Sequence, residues 1–301
     1  MKRFLDKLIL LVWMKLARVI PDKLFLNVQF RLVMGYWMDF SNPKTYNEKL
    51  QWLKLYDRNP DYTKMVDKAA AKDYVKNIIG DEHIIPTLGV WDRPEDIDFE
   101  KLPSKFVLKC THDSGGIVIC HDKSKLNRDE VIAKFKKALK TNYYYQNREW
   151  PYFHVKPRII GEELMVDESG VELKDYKWFC FNGEPKALFI ASDRMTPGEE
   201  TKFDFFDMDF NHLPFTNGHP NASLLPKKPV GFDEMRELAS KLSVGIPHVR
   251  VDFYDVNGHI YFGELTFYHW SGIVPFKPDN WDRVFGDWIN LDKAFTFRAN
   301  K

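Results

Sequence analysis

The residues best suited to chemistry are two acids near the C-terminus. Asp252 and Glu264 lie in two runs of alternating residue character, 248–254 and 260–267, which an Asn-Gly pair separates. Alternation with a period of two predicts strands, and Asn-Gly between two strands predicts a hairpin. An uncompensated charge among apolar strand residues is costly. Two carboxylates on neighbouring strands can instead bind Mg²⁺, which takes a few carboxylates together with phosphate oxygens.

The placement of these acids depends on the length of the hairpin turn. A two-residue turn pairs Asp252 with Gly263 and puts Glu264 on the opposite face of the sheet. A three-residue turn pairs Arg250 with Glu264 and gathers the three charged residues on one face. Arg250 would then neutralise charge on a transferred phosphoryl group. The alternative interpretation is a charged face in solvent, with a weak Arg–Glu pair.

A lysine and a glycine turn form the second candidate group. Lys109 lies in the predicted strand 106–110, and Ser114-Gly115-Gly116 precedes the predicted strand 117–120. Glycines let backbone N–H groups approach phosphate oxygens closely, and the lysine adds a positive charge. The pattern lacks the GKS or GKT of a Walker A loop. A hairpin turn that binds no ligand is therefore the alternative interpretation.

The elements that must position these groups change along the chain. Residues 1–79 have helical spacing, with a break at Asn42-Pro43 and helices predicted at 46–56 and 65–79. Strand patterns then predominate without a regular βαβ alternation, which predicts an α+β protein. The predicted domains are a helical region (1–79) and two strand-containing units (80–165 and 166–301). The predicted strands are 106–110, 117–120, 158–165, 176–181, 186–192, 248–254 and 260–267, with helices at 128–141 and 232–244.

One long segment, 196–229, is predicted as a loop. It is rich in Pro, Asn and Asp, and it is long enough to form a mobile lid. An ordered excursion on the surface is equally compatible with this composition.

The charge balance and the cysteines restrict the class of protein. Lys and Arg number 44 and Asp and Glu number 43, so the formal net charge at pH 7 is +1. A nearly neutral chain lacks the positive charge that binds nucleic acids, and we expect no nucleic-acid partner. Cys110, Cys120 and Cys180 match no metal or redox spacing. They predict reduced core residues in a cytoplasmic protein.

The N-terminal segment 4–20 has two interpretations. Its unbroken apolar run, 8–14, is far shorter than the ~20 residues that span a bilayer. Basic residues surround this run, which is typical of an amphipathic helix that lies on the anionic inner face of a membrane. The simpler interpretation is a first helix that packs on the body of the protein. The basic residues are Lys2, Arg3, Lys7, Lys15 and Arg18.

The order of the motifs along the chain resembles that of the ATP-grasp superfamily. The most similar branch is the TupA-like one, found in bacterial capsule, O-antigen and teichuronopeptide gene clusters. The resemblance covers residues 41–285, nearly the whole predicted body. The residues that carry it are Asp67-Lys68, Phe106-Val107-Leu108-Lys109, Ser114-Gly115-Gly116, Glu162-Glu163, the segment 175–183, Arg250-Val251-Asp252 and the segment 262–267.

This resemblance implies an ATP-grasp fold, in which two antiparallel-sheet subdomains clasp ATP. It also implies an ATP- and Mg²⁺-dependent carboxylate–amine ligase, which converts a carboxylate to an acyl phosphate that an amine then attacks to give an amide. The carboxylate would belong to a glycan or a nucleotide sugar, such as a uronic acid of a surface polysaccharide or its precursor.

The resemblance also implies roles for individual residues. Arg250 would steady the transferred phosphate, and Lys177 would contact phosphate or the substrate carboxylate, although an ion pair with Asp175 or Glu163 is the alternative. Thr266 stands where many ATP-grasp ligases have a metal-binding Asn, which leaves open whether one or two Mg²⁺ ions bind. The nucleotide-binding residues would be Lys109, Ser114, Gly115, Gly116, Glu162 and Glu163, and the metal ligands would be Asp252, Glu264 and Thr266.

Two other functions compete with the ligase. The DxD sequence Asp207-Met208-Asp209 is typical of glycosyltransferases that bind a nucleotide sugar through a metal ion, although short acidic patterns arise easily in a chain with 29% charged residues. An ATP-grasp sugar kinase would have the same nucleotide site as a ligase. For any of the ATP-dependent functions we expect Asp252→Asn and Glu264→Gln to abolish turnover and to leave the fold intact.

Overall fold

A computed structural model describes residues 9–10, 12–166, 173–193 and 198–294. Helices predominate up to residue 79, as predicted, but the helix expected at 65–79 is two helices. The carboxylate of Asp67 accepts hydrogen bonds from the N–H groups of Ala69 and Ala70 at the break. Residues 9–10 and 12–15 are also helical. The α-helices with described bounds are α1 (Asp22–Met34), α2 (Tyr46–Tyr56), α3 (Tyr62–Val66), α4 (Ala70–Ile79), α5 (Arg128–Ala138), α6 (Tyr144–Asn147), α7 (Phe232–Ser243) and α8 (Asn280–Trp288).

Helix α2 begins at a capping box and packs on the C-terminal helix. The Thr45 hydroxyl accepts from the Glu48 N–H, and the Glu48 carboxylate accepts from the Thr45 N–H, so two N–H groups that lack helical partners are satisfied. Gly286 of α8 lies so close to α2 that a Cβ there would come within 2.4 Å of the Lys44 carbonyl oxygen. The N-terminal helices are therefore packed into the same body as the C-terminus.

The first sheet has four antiparallel strands in the order β1-β4-β2-β3. Strands β2 and β3 have the predicted bounds, whereas β1 was not predicted. Helix α5 covers this sheet, and its Phe135 lies in one buried cluster with Phe106 and Leu108. The strands are β1 (Thr87–Trp91), β2 (Phe106–Cys110), β3 (Ile117–Cys120) and β4 (Ile159–Glu163).

The second sheet has five antiparallel strands in the order β10-β9-β5-β6-β7. Part of the segment predicted as a loop, 196–229, forms its edge strand β7, and residues 194–197 lie outside the described residues. The predicted loop is therefore wrong at 202–206. The strands are β5 (Asp175–Phe181), β6 (Glu184–Ser192), β7 (Lys202–Phe206), β9 (Val249–Val256) and β10 (His259–Thr266), and the short strands β8 (Thr216–Asn217) and β11 (Phe276–Lys277) pair with each other.

The two sheets meet at one edge of a cleft. A parallel bridge between Ile84 and Phe262 joins the chain before β1 to strand β10. The main core lies on the five-stranded sheet, where Trp178 contacts Phe232 of α7. The prediction of an α+β fold with two antiparallel sheets and a helical N-terminal region is confirmed. The predicted boundaries near residues 79 and 165 fall between elements, and the division into domains stays a prediction.

His248 joins helix α2 to the five-stranded sheet. Its Nδ1 lies 3.0 Å from the Cys180 carbonyl oxygen, and its Nε2 lies 2.8 Å from the Tyr46 hydroxyl. A carbonyl oxygen only accepts, so Nδ1 carries the proton and the tyrosine donates to Nε2. Burial lowers the pKa of His248 to about 3.

We expect His248 to make the stability of the protein fall on acidification. The unfolded state binds a proton at this histidine below about pH 6.5, whereas the folded state stays neutral down to about pH 3. The free energy of unfolding should therefore drop by about 2 kcal/mol more in the parent than in His248→Gln between pH 7 and 5. Urea unfolding at both pH values measures this difference.

His121→Gln is the matched control, since His121 is exposed. It should show the same pH dependence as the parent protein. Equal pH dependence in His248→Gln and the parent would show that His248 is not held neutral.

Candidate functional site

The hairpin of β9 and β10 follows neither of the two predicted registers throughout. Near the turn the register is that of a two-residue turn, with Val256 opposite His259. A β-bulge at Gly263 then adds one residue to β10, and Glu264 lies opposite Asp252. A two-residue turn alone would have placed Gly263 there. The bulge therefore brings both acids to one face by a route that the turn length did not predict.

Arg250 holds the two acids from the same face of the sheet. Its Nε and Nη2 lie 2.7 Å from the two oxygens of Asp252, which is a bidentate ion pair. Nη2 also lies 3.2 Å from Glu264 Oε1 and 3.1 Å from the Thr266 hydroxyl. Nη1 donates to Nδ1 of the buried His269 at 2.8 Å. Every nitrogen of the guanidinium is thus engaged behind the acids.

Lys177 supplies the second positive charge beside Asp252. The register places it opposite Asp252 on β5, and its ammonium group contacts Asp252 and also Asp175, the latter at 2.7 Å. Burial alone would raise the pKa of Asp252, but Arg250 and Lys177 outweigh burial and hold this pKa below its usual value. Of the two partners predicted for Lys177, Asp175 is found and Glu163 is not.

The opposite wall of the cleft carries a similar arrangement on the four-stranded sheet. Glu162 is buried between two lysines, with Lys72 Nζ at 2.5 Å from one carboxylate oxygen and Lys109 Nζ at 2.6 Å from the other. Burial raises the pKa of Glu162, and the two lysines lower it by more. Lys109 comes from β2, as predicted, whereas Lys72 comes from helix α4.

The glycine turn lies between β2 and β3 at the rim of the cleft. Gly115 has a φ of +135°, and a Cβ at this position would meet nothing within 4 Å. The Gly116 N–H donates to the Asp113 carboxylate at 3.1 Å, and a Cβ on Gly116 would come within 2.7 Å of Cys110 Sγ. Gly115 thus borders open space, whereas Gly116 is required by the packing of the turn itself.

The cleft between the two sheets has a volume of about 220 Å³. Met65, Val66, Ile85 and Leu265 contribute apolar lining. Three of the predicted residues, Arg250, Thr266 and Glu163, are not among the lining residues. The predicted site residues that line the cleft are Lys109, Ser114, Gly115, Gly116, Glu162, Lys177, Asp252 and Glu264.

The sequence assigned no site role to six polar residues that line the cleft. They are Lys68, Lys72, Asp113, Tyr152, Asp175 and Tyr254. Lys72 follows three alanines on a short helix, where a lysine looks like an ordinary solvated side chain. Lys68 belongs to the Asp67-Lys68 motif, which predicted no role for this lysine alone. The fold, rather than a local signal, brings these side chains to Glu162 and the glycine turn.

The DxD sequence does not line the cleft, and Asp207 instead stabilises the turn in which it lies. Oδ1 of Asp207 accepts from the N–H groups of Asp209 and Asn211, and Oδ2 accepts from the Asn211 side chain. Neither aspartate lines the cleft. This geometry removes the feature that favoured a glycosyltransferase.

The side chains of the cleft fit a nucleoside triphosphate with Mg²⁺. Lys68, Lys72, Lys109 and Lys177 come from different elements and converge on one space, which suits several phosphate groups. Among the described residues no group of three or more His, Cys, Asp or Glu side chains is arranged to hold a metal. A Mg²⁺ between Asp252 and Glu264 would therefore draw further ligands from phosphate oxygens and water.

Comparisons with known proteins agree with this geometry. The model of the TupA-like ATP-grasp family matches residues 48–290, which include every residue of the cleft. No curated protein matches the chain.

Several solved structures are similar to the chain. The chain covers only 53% and 57% of the length of the first two. The structures are a D-alanine–D-alanine ligase from Bacillus anthracis complexed with ATP (15% identity, 67% of this chain and 53% of that chain covered, TM-score 0.38), the ATP-grasp ligase PsnB complexed with minimal precursor, Mg and ADP (11%, 73% and 57%, 0.39) and a D-alanine–D-alanine ligase from Helicobacter pylori (12%, 82% and 67%, 0.43).

The two acids differ in burial, and this difference changes what we expect of their amide variants. Asp252 is 1% exposed between two cations, so Asp252→Asn leaves buried positive charge without a partner and should cost about 3–5 kcal/mol of stability. The Glu264 side chain is 44% exposed, and Glu264→Gln should cost less than about 1 kcal/mol. Urea unfolding of both variants measures these costs.

Asp287→Asn serves as the control for a surface ion pair, since Asp287 and its partner Arg283 are both exposed. It should resemble Glu264→Gln. An Asp252→Asn protein as stable as these two would contradict the buried ion cluster. The earlier expectation that both amide variants keep the fold intact is thus kept for Glu264 alone.

Proposed function

This chain belongs to the TupA-like ATP-grasp family, and we propose that it is an ATP- and Mg²⁺-dependent carboxylate–amine ligase. The observation that carries the proposal is the position of Asp252 directly opposite Glu264, in a cleft whose other wall presents Lys72 and Lys109. Bound ATP would supply a phosphoryl group that activates the substrate carboxylate for attack by an amine, which yields an amide, ADP and phosphate.

The side chains on the two walls of the cleft would have different roles in this reaction. Lys109 and Lys72 would hold phosphate oxygens from the four-stranded sheet, and Asp252 and Glu264 would hold Mg²⁺ from the five-stranded sheet. Arg250 has its guanidinium in contact with both acids and Thr266, so its first role in this proposal is to position the metal ligands. Lys177 borders the cleft and stays a candidate for contact with phosphate.

For the substrates we propose a carboxylate-bearing glycan or nucleotide sugar and an amine, in the synthesis of a surface polysaccharide. The support for this part is the resemblance to the branch found in capsule, O-antigen and teichuronopeptide gene clusters. We also propose a cytoplasmic location. The three cysteines are free and buried, as expected for a reducing compartment.

The ligase is tested by the reactants that ADP formation requires. We expect ADP only when ATP, Mg²⁺, a uronic acid and an amine are all present. ADP formation with a sugar that carries no carboxylate, and without an amine, would instead establish a sugar kinase. Protection from thermal unfolding by a UDP- or GDP-sugar, and not by ATP with Mg²⁺, would favour the glycosyltransferase.

Glu264→Gln should slow ADP formation by about 100-fold or more, because Mg²⁺ loses a charged ligand while side-chain volume is kept. Substitution of a residue that only hydrogen-bonds to a metal ligand already lowers metal affinity or activity by about 10–100-fold. Glu184→Gln is the matched control, since Glu184 is an exposed carboxylate beside Lys186. Full activity in Glu264→Gln would remove this residue from the metal site.

Lys109→Ala should weaken ATP binding by about tenfold or more, since a charged hydrogen bond to phosphate is lost. Titration of the thermal shift with ATP and Mg²⁺ measures the affinity. Lys105→Ala, at an exposed position just before β2, should bind ATP as the parent does. Normal affinity in Lys109→Ala would place the phosphates elsewhere.

A further inference from the structure

The N-terminal helical segment has apolar residues on two of its faces. Its inner face packs on the body, where Trp13, Met14 and Ala17 join a cluster that includes Phe25 and Phe30 of α1. The Trp13 indole N–H also donates to the Phe25 carbonyl oxygen at 3.3 Å. The inner face therefore holds the segment on the protein without any contact from the outer face.

The outer face of the same segment is apolar and uncovered. Ile9, Val12, Leu16 and Val19 are 41%, 54%, 46% and 78% exposed. Ile9 and Val12 lie in helical residues, and Leu16 and Val19 lie in the turn that follows, so exposed apolar side chains recur every three or four residues along the segment. Of the 19 exposed large hydrophobic side chains in the described residues, eight fall between residues 9 and 37. Scattered exposed apolar residues need no explanation, but a concentrated stripe indicates a contact surface.

A buried arginine fastens the end of this segment to the body. Arg148 is 2% exposed, and its guanidinium contacts the carbonyl oxygens of Ala17 and Ile20 and the carboxylate of Asp22. It also lies 4.1 Å from the ring centre of Phe25. These contacts keep the segment in place while the outer stripe faces away from the core.

The charges beside the stripe are positive. Lys15 and Arg18 are exposed next to it, and the guanidinium of Arg18 lies over the ring of Tyr145. The nearest described acid along the chain, Asp22, is already paired with Arg148. The sequence adds Lys2, Arg3 and Lys7 against the single acid Asp6 before the stripe.

We propose that this stripe docks the protein on an anionic membrane surface, with Ile9, Val12, Leu16 and Val19 at the level of the headgroups and acyl chains. An apolar face flanked by Lys and Arg is the pattern of helices that lie in the plane of such a surface. A second copy of the chain would bring Lys15 and Arg18 against the same positive charges, so the charges favour lipid. No helix of the described residues is long and apolar enough to cross a bilayer.

The stripe lies outside the residues that the family model matches, 48–290, so this proposal does not depend on the ligase activity.

The experiment is co-sedimentation of the full chain with vesicles of phosphatidylcholine, with and without phosphatidylglycerol. The parent should bind the anionic vesicles, and Val12→Glu with Leu16→Glu should weaken binding by about tenfold or more. Leu224→Glu with Val230→Glu, at two other strongly exposed apolar positions, is the matched control and should bind as the parent does. Lys15→Gln and Arg18→Gln should each reduce binding to anionic vesicles by about fivefold.

Three results would overturn the proposal. They are a parent protein that does not bind anionic vesicles, a Val12 and Leu16 double variant that binds as well as the control, and a parent dimer that the double variant separates in gel filtration. If the double variant does not fold, Val19→Glu alone gives the same comparison at the most exposed position of the stripe. ADP formation with water-soluble substrates should be unchanged in these variants, so a failure of the ligase proposal is seen separately.

Discussion

The buried charge of Asp252 is the constraint on which the five-stranded sheet and the cleft depend. A carboxylate that is 1% exposed among aromatic strands is stable only with charged partners. Arg250 provides one partner from the same face of β9, and Lys177 provides the other from the adjacent position on β5. The register of β5 against β9 is therefore tied to one side chain.

Both walls of the cleft place one carboxylate between two cations. Glu162 lies between Lys72 and Lys109, as Asp252 lies between Arg250 and Lys177. In each pair at least one lysine borders the open space. An anionic group that enters the cleft would share these lysines with acids that are already satisfied, so the walls can receive negative charge without a large rearrangement of backbone.

The sequence predicted the strands and helices that depend only on short stretches of the chain. Strands β2 and β3 are short, mainly apolar runs on either side of a glycine turn and have the predicted bounds, and α2 has the predicted bounds 46–56. Strand β1 was missed because Gly89 interrupts it, although the glycine is required there by the ring of Trp91. The partnership of Lys72 with Glu162 could not be predicted, since it joins a helix to a strand ninety residues away only in the folded chain.

With the bulge at Gly263, the placement of the two acids on one face depends on the number of residues between them. Strand faces alternate, so losing or gaining one residue between Asp252 and Glu264 would turn the second acid to the far side of the sheet. Losing or gaining a pair of residues at the tip would leave the acids together. In related chains the length of this tip should therefore change only in steps of two.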